Sequence, residues 1–177
     1  MFAARCGPTL AGGATTQARA GTQSERDSMS YPRFDEHSDH IVKKLAQEIA
    51  AEYGLDFVGT EHILLAILRH DHGVAAKALR RFGVDERRAR ETLDDIMKSD
   101  LEDTWVFGRL PGSPNYRNVV ARAIEEATQL ESPEIRPEHL LLALLHERGS
   151  TAQRVLAAMG VHMENCRAEV LRFLQHS

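Results

Sequence analysis

Apolar residues recur at spacings of three and four from residue 38 onward, which is the pattern of helices that bury one face. In the first such segment Ile41, Val42, Leu45, Ile49 and Tyr53 fall on one side of a helix. The strict alternation that marks half-buried strands is absent from this part of the chain. The pattern therefore predicts an all-α fold.

One apolar unit occurs twice. GTEHILLAIL at 59–68 and RPEHLLLALL at 136–145 share the Glu-His pair and a run of aliphatic residues, and the pairs align at a shift of 77 (138 minus 61). The same shift aligns further identical residues without a gap. They include Val42/Val119, Ala46/Ala123, Glu48/Glu125, Ala50/Ala127, Leu64/Leu141, Ala66/Ala143, Ala75/Ala152, Leu79/Leu156, Gly83/Gly160 and Val84/Val161. Because a single shift aligns so many residues without a gap, the sequence predicts a tandem repeat of one supersecondary unit.

Each copy is predicted to contain four helices, with boundaries good to about two to four residues. In the first copy they cover 38–53, 60–70, 73–82 and 85–98, and in the second 114–130, 137–147, 150–159 and 162–175. The second helix of each copy is apolar on nearly all sides. We expect it at the centre of its unit, because exposing one Leu or Ile forfeits about 1.5–3 kcal/mol. Gly83 and Gly160 are placed to end the third helices in a left-handed conformation.

The chain divides into a tail and one helical domain. Residues 1–33 are rich in Gly, Ala, Thr and Ser, so we expect a disordered tail or, if translation begins at Met29, a mis-assigned start. Arg5 and Arg19 without nearby acids hint at a transit peptide, although amphipathic patterning is poor. The domain is expected at 34–177, with repeat one at 34–98, a linker at 99–113 and repeat two at 114–177.

Composition narrows the class of protein. Hydrophobic residues make up 42% and charged residues 27%, and no apolar run is long enough to span a membrane. A net charge of −4 argues against nucleic acid as a partner, because such binding usually needs a basic surface. Cys6 and Cys166 are far apart in sequence, which favours a reduced, buried thiol at Cys166 and a cytoplasmic location. We expect a soluble cytoplasmic protein.

The Glu-His pair has a structural explanation. Thr60 is placed to cap the second helix of copy one, and Pro137 suits the first helical position in copy two. His62 and His139 lie just inside these buried helices. We expect each to donate a hydrogen bond to a neighbouring helix.

Few residues are candidates for catalysis or for metal binding. His37, His40, His70 and His72 form two pairs that suggest a metal site, which gives the alternative of a metal-binding helical protein or an enzyme. Residues adjacent on a helix point in different directions, however, and no phosphate-binding loop, nucleophile elbow or paired CxxC motif occurs. We therefore expect no catalytic residue, metal or cofactor.

The segments GTEHILLAILRHDHGVAAKALRRFGV and RPEHLLLALLHERGSTAQRVLAAMGV resemble the repeat of the Clp N-terminal domain, particularly that of the C-type chaperones. The resemblance covers about 34–175. It implies a pseudo-twofold bundle of eight helices that docks adaptors and substrates for an AAA+ unfoldase. The chain ends at Ser177 without a nucleotide-binding domain, so we expect a free-standing module that acts as an adaptor, a decoy or an accessory factor of a Clp protease. A module repurposed for an unrelated peptide is a further alternative.

The resemblance also implies site residues. In some C-type chaperones the motif glutamates hold the guanidinium of phosphoarginine, and here they are Glu61 and Glu138. A carboxylate at a helix start suits a planar cation. Asp35 and Asp39 oppose a phosphate near the first copy, whereas Ser113 keeps a hydroxyl near the second, which makes the second copy the better candidate.

Adaptor docking in the family points to the start of helix one and to the segment between the repeats. By position this adds Phe34, Trp105, Phe107 and Arg109 as contacts. An aromatic side chain flanked by charge is typical of an interface hot spot. Packing of these side chains onto the bundle is the alternative interpretation.

Overall fold

Eight helices and one short strand pair account for the regular structure in the computed structural model, which describes residues 32–104 and 116–176. Helix α1 runs from Glu36 to Glu52, and α2, α3 and α4 span Thr60–His70, Gly73–Arg81 and Glu86–Thr104. In the second repeat α5, α6, α7 and α8 span Tyr116–Gln129, Pro137–His146, Thr151–Ala158 and Met163–Gln175. Strands β1 and β2 are Arg33–Phe34 and Glu134–Ile135. The all-α class with two four-helix repeats is confirmed.

The second helix of each repeat is the central one. Ile63, Leu64 and Leu65 of α2 and Leu140 and Leu141 of α6 are at most 1% exposed. This burial confirms the expectation drawn from their apolar sequences. None of the helices in the described parts of the chain is long and apolar enough to cross a bilayer.

The third helices end as the glycines predict. Gly83 and Gly160 have φ values of 70° and 78°, a conformation that glycine adopts without steric cost. The N–H of Val84 donates to the carbonyl of Leu79, and the matching bond in repeat two joins Val161 to Leu156. These bonds complete a Schellman cap in each repeat.

Three features differ from the predicted elements. Helix α4 continues to Thr104, through the first residues of the predicted linker. Helix α1 contains a π-helical turn at Ile41–Leu45, whereas α5 is a regular α-helix. Strands β1 and β2 pair in parallel, with Arg33 opposite Glu134 and Phe34 opposite Ile135. Two residues per strand are too few to show an alternating pattern, so this pairing could not be predicted from apolar spacing.

The two repeats interdigitate within one compact unit. Helix α3 of repeat one packs against α6 and α8, and helix α7 of repeat two packs against α2 and α4. The contacts are equivalent under the 77-residue shift, as a pseudo-twofold arrangement requires. The hydrophobic core is therefore shared between the repeats.

Charged side chains tie helices one, two and four together in repeat one. Arg69 of α2 bonds the Glu52 carboxylate at 2.6 Å, and Arg90 of α4 reaches it at 2.8 Å. Glu86 accepts from both arginines. The arginines, Arg69 first, lower the pKa of Glu52 to about 2, although its side chain is 45% exposed.

Repeat two has a related cluster, which is more buried and is centred on a glutamate one turn earlier in its first helix. His146 and Arg167 stand 77 residues after Arg69 and Arg90, and both contact Glu126 of α5, at 2.8 Å and 2.5 Å. The Glu126 side chain is only 2% exposed. This cluster could not be predicted from the sequence, because helical periodicity does not show which glutamate faces inward.

Cys166 of α8 is fully buried and free, as predicted. Burial raises the pKa of its thiol to about 12, with a smaller contribution from Glu169. The thiol is therefore inert toward oxidants while the domain is folded. Cys6 lies outside the described residues.

Candidate docking site at the Glu-His helix starts

The recurring histidine caps its own helix. The backbone N–H of Gly59, which precedes α2, donates to Nδ1 of His62 at 2.8 Å. At the start of α6 the N–H of Arg136 donates to Nδ1 of His139 at 2.9 Å. Each Nδ1 accepts a bond from the residue three positions earlier, so the N–H of each neutral ring is at Nε2, and its donation to a neighbouring helix stays a prediction. The histidine recurs because its side chain satisfies a backbone donor that the helix leaves unpaired.

Nδ1 accepts a hydrogen bond only in the neutral ring, so this role excludes the doubly protonated imidazolium. Burial is the main cause that lowers the pKa of His139 to about 4, and Arg136 lowers it further. Burial likewise lowers the pKa of His62. Both rings are neutral near pH 7 and serve the fold.

Thr60 does not cap α2. Gly59 is the N-cap residue, and the Thr60 hydroxyl accepts instead from the N–H of Ala152 at the start of α7, at 3.3 Å. The neighbouring Ser150 accepts from Gln153, so two N–H groups at this helix start are satisfied. Thr60 thus joins the repeats across 92 positions of sequence. Pro137 does occupy the first turn of α6, as predicted.

We predict that Thr60→Val destabilises the domain by about 1–3 kcal/mol, because it leaves the buried N–H of Ala152 unpaired without changing side-chain volume. The measurement is the free energy of unfolding in urea. Thr128→Val is the matched control, since its hydroxyl bonds only the carbonyl of Ile124 on an exposed helix face. Equal effects of the two variants would show that Thr60 does not cap α7.

The two motif glutamates have different surroundings. The Glu61 carboxylate lies over Gly59, where a Cβ atom would collide with it, and the side chain is 14% exposed. It accepts from the Thr60 hydroxyl at 3.4 Å. Glu138 is only 2% exposed, and burial raises its pKa against the opposing effects of its own backbone N–H and Arg136. Of the two carboxylates, Glu61 is therefore the more accessible to a cation.

The start of α1 lies beside the start of α6. The N–H of Asp35 donates to the carbonyl of Ile135 at 3.0 Å, which extends the β1–β2 pairing toward α6. The Asp35 charge also contributes to the raised pKa of Glu138. Phe34 is half-buried and packs against the core. The site of the second repeat therefore includes residues from the first, which sequence reasoning did not foresee.

Four of the predicted site residues lie outside the described residues, namely Ser113, Trp105, Phe107 and Arg109. Their roles remain predictions. The preference for the second copy depends on Ser113, so it also remains a prediction. The greater exposure of Glu61 favours the first copy for binding a guanidinium.

The histidine pairs considered as metal ligands come together in space. His37 and His40 lie on α1, while His70 ends α2 and His72 follows it before α3. Burial and the neighbouring imidazoles lower the pKa of His70, with a small opposing effect from Asp35. This cluster lies at the far end of α2 from Glu61.

The sequence matches the family described as the Clp repeat (R) N-terminal domain over residues 33–104 and 112–177. It is 35% identical over 162 residues to the chloroplastic chaperone protein ClpC2 of Oryza sativa subsp. japonica. The aligned region covers 91% of this chain and 17% of that relative. It is 37% identical over 144 residues to the chloroplastic chaperone protein ClpC1 of Arabidopsis thaliana. That alignment covers 81% of this chain and 15% of the relative. The chain thus spans about a sixth of the length of these relatives.

Solved structures show the same architecture. The N-terminal domain of the caseinolytic protease associated chaperone ClpD from Arabidopsis thaliana matches with a TM-score of 0.63 at 25% identity, covering 84% of this chain and 98% of that one. The Hsp104 N-terminal domain from Candida albicans matches with a TM-score of 0.56 at 15% identity, covering 80% and 91%. The second likeness concerns the fold alone.

Proposed function

The chain belongs to the Clp repeat N-terminal domain family, and from that premise we propose that it binds substrate or adaptor proteins of a Clp-type AAA+ chaperone or protease. In this role it acts as an adaptor, a decoy or an accessory factor and performs no catalysis itself. A bacterial-type cytoplasm is part of the proposal, whereas the names of the two relatives place them in chloroplasts.

The observation that carries the proposal is the pair of Glu-His helix starts. Each combines a neutral histidine that fixes the first turn with a glutamate at the positive end of the helix dipole. In repeat one the carboxylate is held over Gly59 and remains partly exposed. A carboxylate fixed in this way can accept two parallel hydrogen bonds from a guanidinium. An arginine side chain of a bound protein is the ligand group that fits it.

The same geometry bears on phosphoarginine. At the second site Asp35 lies close enough to Glu138 to raise the pKa of that carboxyl, so a phosphate there would meet negative charge. The site therefore suits the guanidinium of phosphoarginine better than its phosphate. We propose that arginine-bearing segments bind near Glu61 and that a phosphate adds affinity only where Ser113 or another donor reaches it.

The test is affinity capture from a lysate with the purified chain as bait. We expect Clp subunits or their adaptors among the captured proteins, and about a tenfold loss with Glu61→Ala, since a hydrogen bond to a charged group contributes about 1.5–3 kcal/mol. Phe34→Ala is expected to weaken capture as well. Glu138→Ala is expected to have a smaller effect, because its carboxylate is buried.

Glu48→Ala is the matched control, since Glu48 is an exposed helix glutamate outside the site. Circular dichroism checks that each variant folds. Capture of no Clp component under gentle conditions would contradict the proposed function. Equal capture by wild type and Glu61→Ala would contradict the role of this carboxylate.

A further inference from the structure

Four of the nine histidines gather where α1 meets the end of α2, although the two pairs are at least 30 positions apart in sequence. The imidazole of His70 is at the middle of the group. Its ring centroid lies 5.0 Å from that of His37, 5.9 Å from that of His40 and 5.4 Å from that of His72. His37 and His40 are three residues apart on one helix and so share a face.

Two of these rings already have the spacing of metal ligands. Nε2 of His70 and Nδ1 of His37 are 3.0 Å apart. Bonds of about 2.0–2.1 Å to a tetrahedral zinc ion place two ligand nitrogens about 3.3 Å apart. In the metal-free protein one ring donates its N–H to the other, and when a cation binds, that proton moves to the other nitrogen of the donor ring, so that both lone pairs face the ion.

The third ring has the tautomer that coordination requires. Nδ1 of His72 contacts the carbonyl oxygen of His70, which accepts only, so this nitrogen must carry the proton. Nε2 of His72 therefore holds the free lone pair. Metal-binding histidines commonly donate their second ring N–H to a backbone carbonyl in this way.

The backbone between His70 and His72 is held in place. Asp71 adopts a left-handed conformation with φ of 52°. Arg80 of α3 donates to the Asp71 carboxylate at 3.0 Å and to its carbonyl at 2.9 Å. These bonds stabilise the turn between α2 and α3, on which the His70 and His72 rings lie. On the other side, the π-helical turn of α1 begins directly after His40, and such turns are frequent at functional sites.

We propose that His37, His40, His70 and His72 form a binding site for a divalent transition-metal ion of the class that prefers imidazole, with Zn²⁺ as the probe. As the side chains stand, no three His, Cys, Asp or Glu residues within 32–104 and 116–176 are arranged to hold one ion. The His37 and His70 pair already has the spacing of metal ligands, and rotation of the His40 ring, with a small shift of His72 that keeps its bond to the His70 carbonyl, completes the shell. The bound ion ties α1 to the turn between α2 and α3.

This link has a consequence for the docking surface. The start of α1 holds Phe34 and Asp35, through which repeat one contacts the start of α6. A metal ion that fixes α1 to the end of α2 therefore stabilises the contact between the repeats. The site is distinct from the Glu61 carboxylate, so its test does not depend on the proposed function.

The test uses the full chain with Cys6→Ser, so that the thiol outside the described residues does not bind metal. After removal of metal with EDTA, the protein is titrated with ZnCl₂ by calorimetry. We expect one equivalent to bind. The melting temperature should rise by about 5 °C at a hundredfold excess of free ion over Kd.

His70→Ala and the double variant His37→Ala/His40→Ala are expected to weaken binding at least tenfold and to abolish the rise in melting temperature. His176→Ala and His162→Ala are matched controls that remove exposed histidines elsewhere. Circular dichroism verifies that each variant is folded. The proposal is overturned if the parent binds no stoichiometric zinc, or if His70→Ala binds as tightly as the controls do.

Discussion

Replacing Arg167 with alanine is expected to lower the free energy of unfolding by about 3 kcal/mol. The guanidinium contacts the Glu126 carboxylate at 2.5 Å, and the Glu126 side chain is 2% exposed. Loss of the arginine leaves a buried carboxylate that keeps its contact with the His146 ring, at 2.8 Å. Breaking a buried ion pair usually costs about 3–5 kcal/mol, and the contact with His146 places this variant at the lower end. Urea denaturation measures the loss.

Repeat one supplies the matched control. Arg90 occupies the position of Arg167 under the 77-residue shift, but its partner Glu52 has a side chain that is 45% exposed. Water solvates that carboxylate once the arginine is gone, so Arg90→Ala is expected to cost about 1 kcal/mol or less. Equal losses in the two variants would show that burial of the glutamate does not set the cost.

The same shift suggests a rescue. Repeat one has the fully buried Ile49 where repeat two has Glu126. In the double variant Glu126→Ile/Arg167→Met the charge and its partner are removed together. Replacing a buried pair with apolar residues of similar volume is often neutral or stabilising. We therefore expect the double variant to recover most of the stability that Arg167→Ala loses.

Acid is expected to destabilise the domain between pH 6.5 and pH 4. The pKa of His139 in the folded protein is about 4, below its usual 6.5. Between these two pH values the unfolded chain binds a proton at His139 and the folded chain does not. The stability that His139 contributes is complete above pH 6.5 and is lost as the pH falls through 4. A difference of 2.5 pKa units (6.5 minus 4) corresponds to about 3 kcal/mol at the acid limit. His62 acts in the same direction.

Two glutamates change the stability of the domain differently as the pH falls. Glu52, with a pKa of about 2, loses its contribution only below its usual value of 4.5. Glu138 opposes the histidines, because its raised pKa favours the folded state as it becomes protonated. A histidine variant compared with wild type at each pH removes both effects from the result.

His139→Asn isolates the titration. Asn places an acceptor oxygen where Nδ1 stands but carries no ionisable proton, and Asn165 already accepts from the N–H of His162 in this way at the start of α8, at 2.8 Å. We expect His139→Asn to flatten the loss of stability between pH 6.5 and pH 4. His139→Ala should lower stability at every pH, because the N–H of Arg136 loses its partner. An Asn variant as acid-sensitive as wild type would exclude His139 as the titrating group.

Much of the fold was predictable because its determinants are local. Apolar spacing placed all eight helices, and Gly83 and Gly160 marked the ends of two of them. The 77-residue shift identified the repeat, and the resemblance to the Clp repeat implied its pseudo-twofold arrangement. The site was less accessible to sequence reasoning. The Glu-His pair stood out, yet the acceptor role of the histidines was visible only in the structure.

The sequence by itself determined the helices, the glycine ends of the third helices and the duplication, since each depends on residues within about four positions of one another or on a repeated pattern. Tertiary structure alone decided which glutamate is buried, which hydroxyl caps the opposite repeat and where the histidines meet. Thr60 reaches Ala152 across 92 positions, and His37 reaches His70 across 33. Such contacts depend on the packing of whole helices, which no short stretch of sequence specifies.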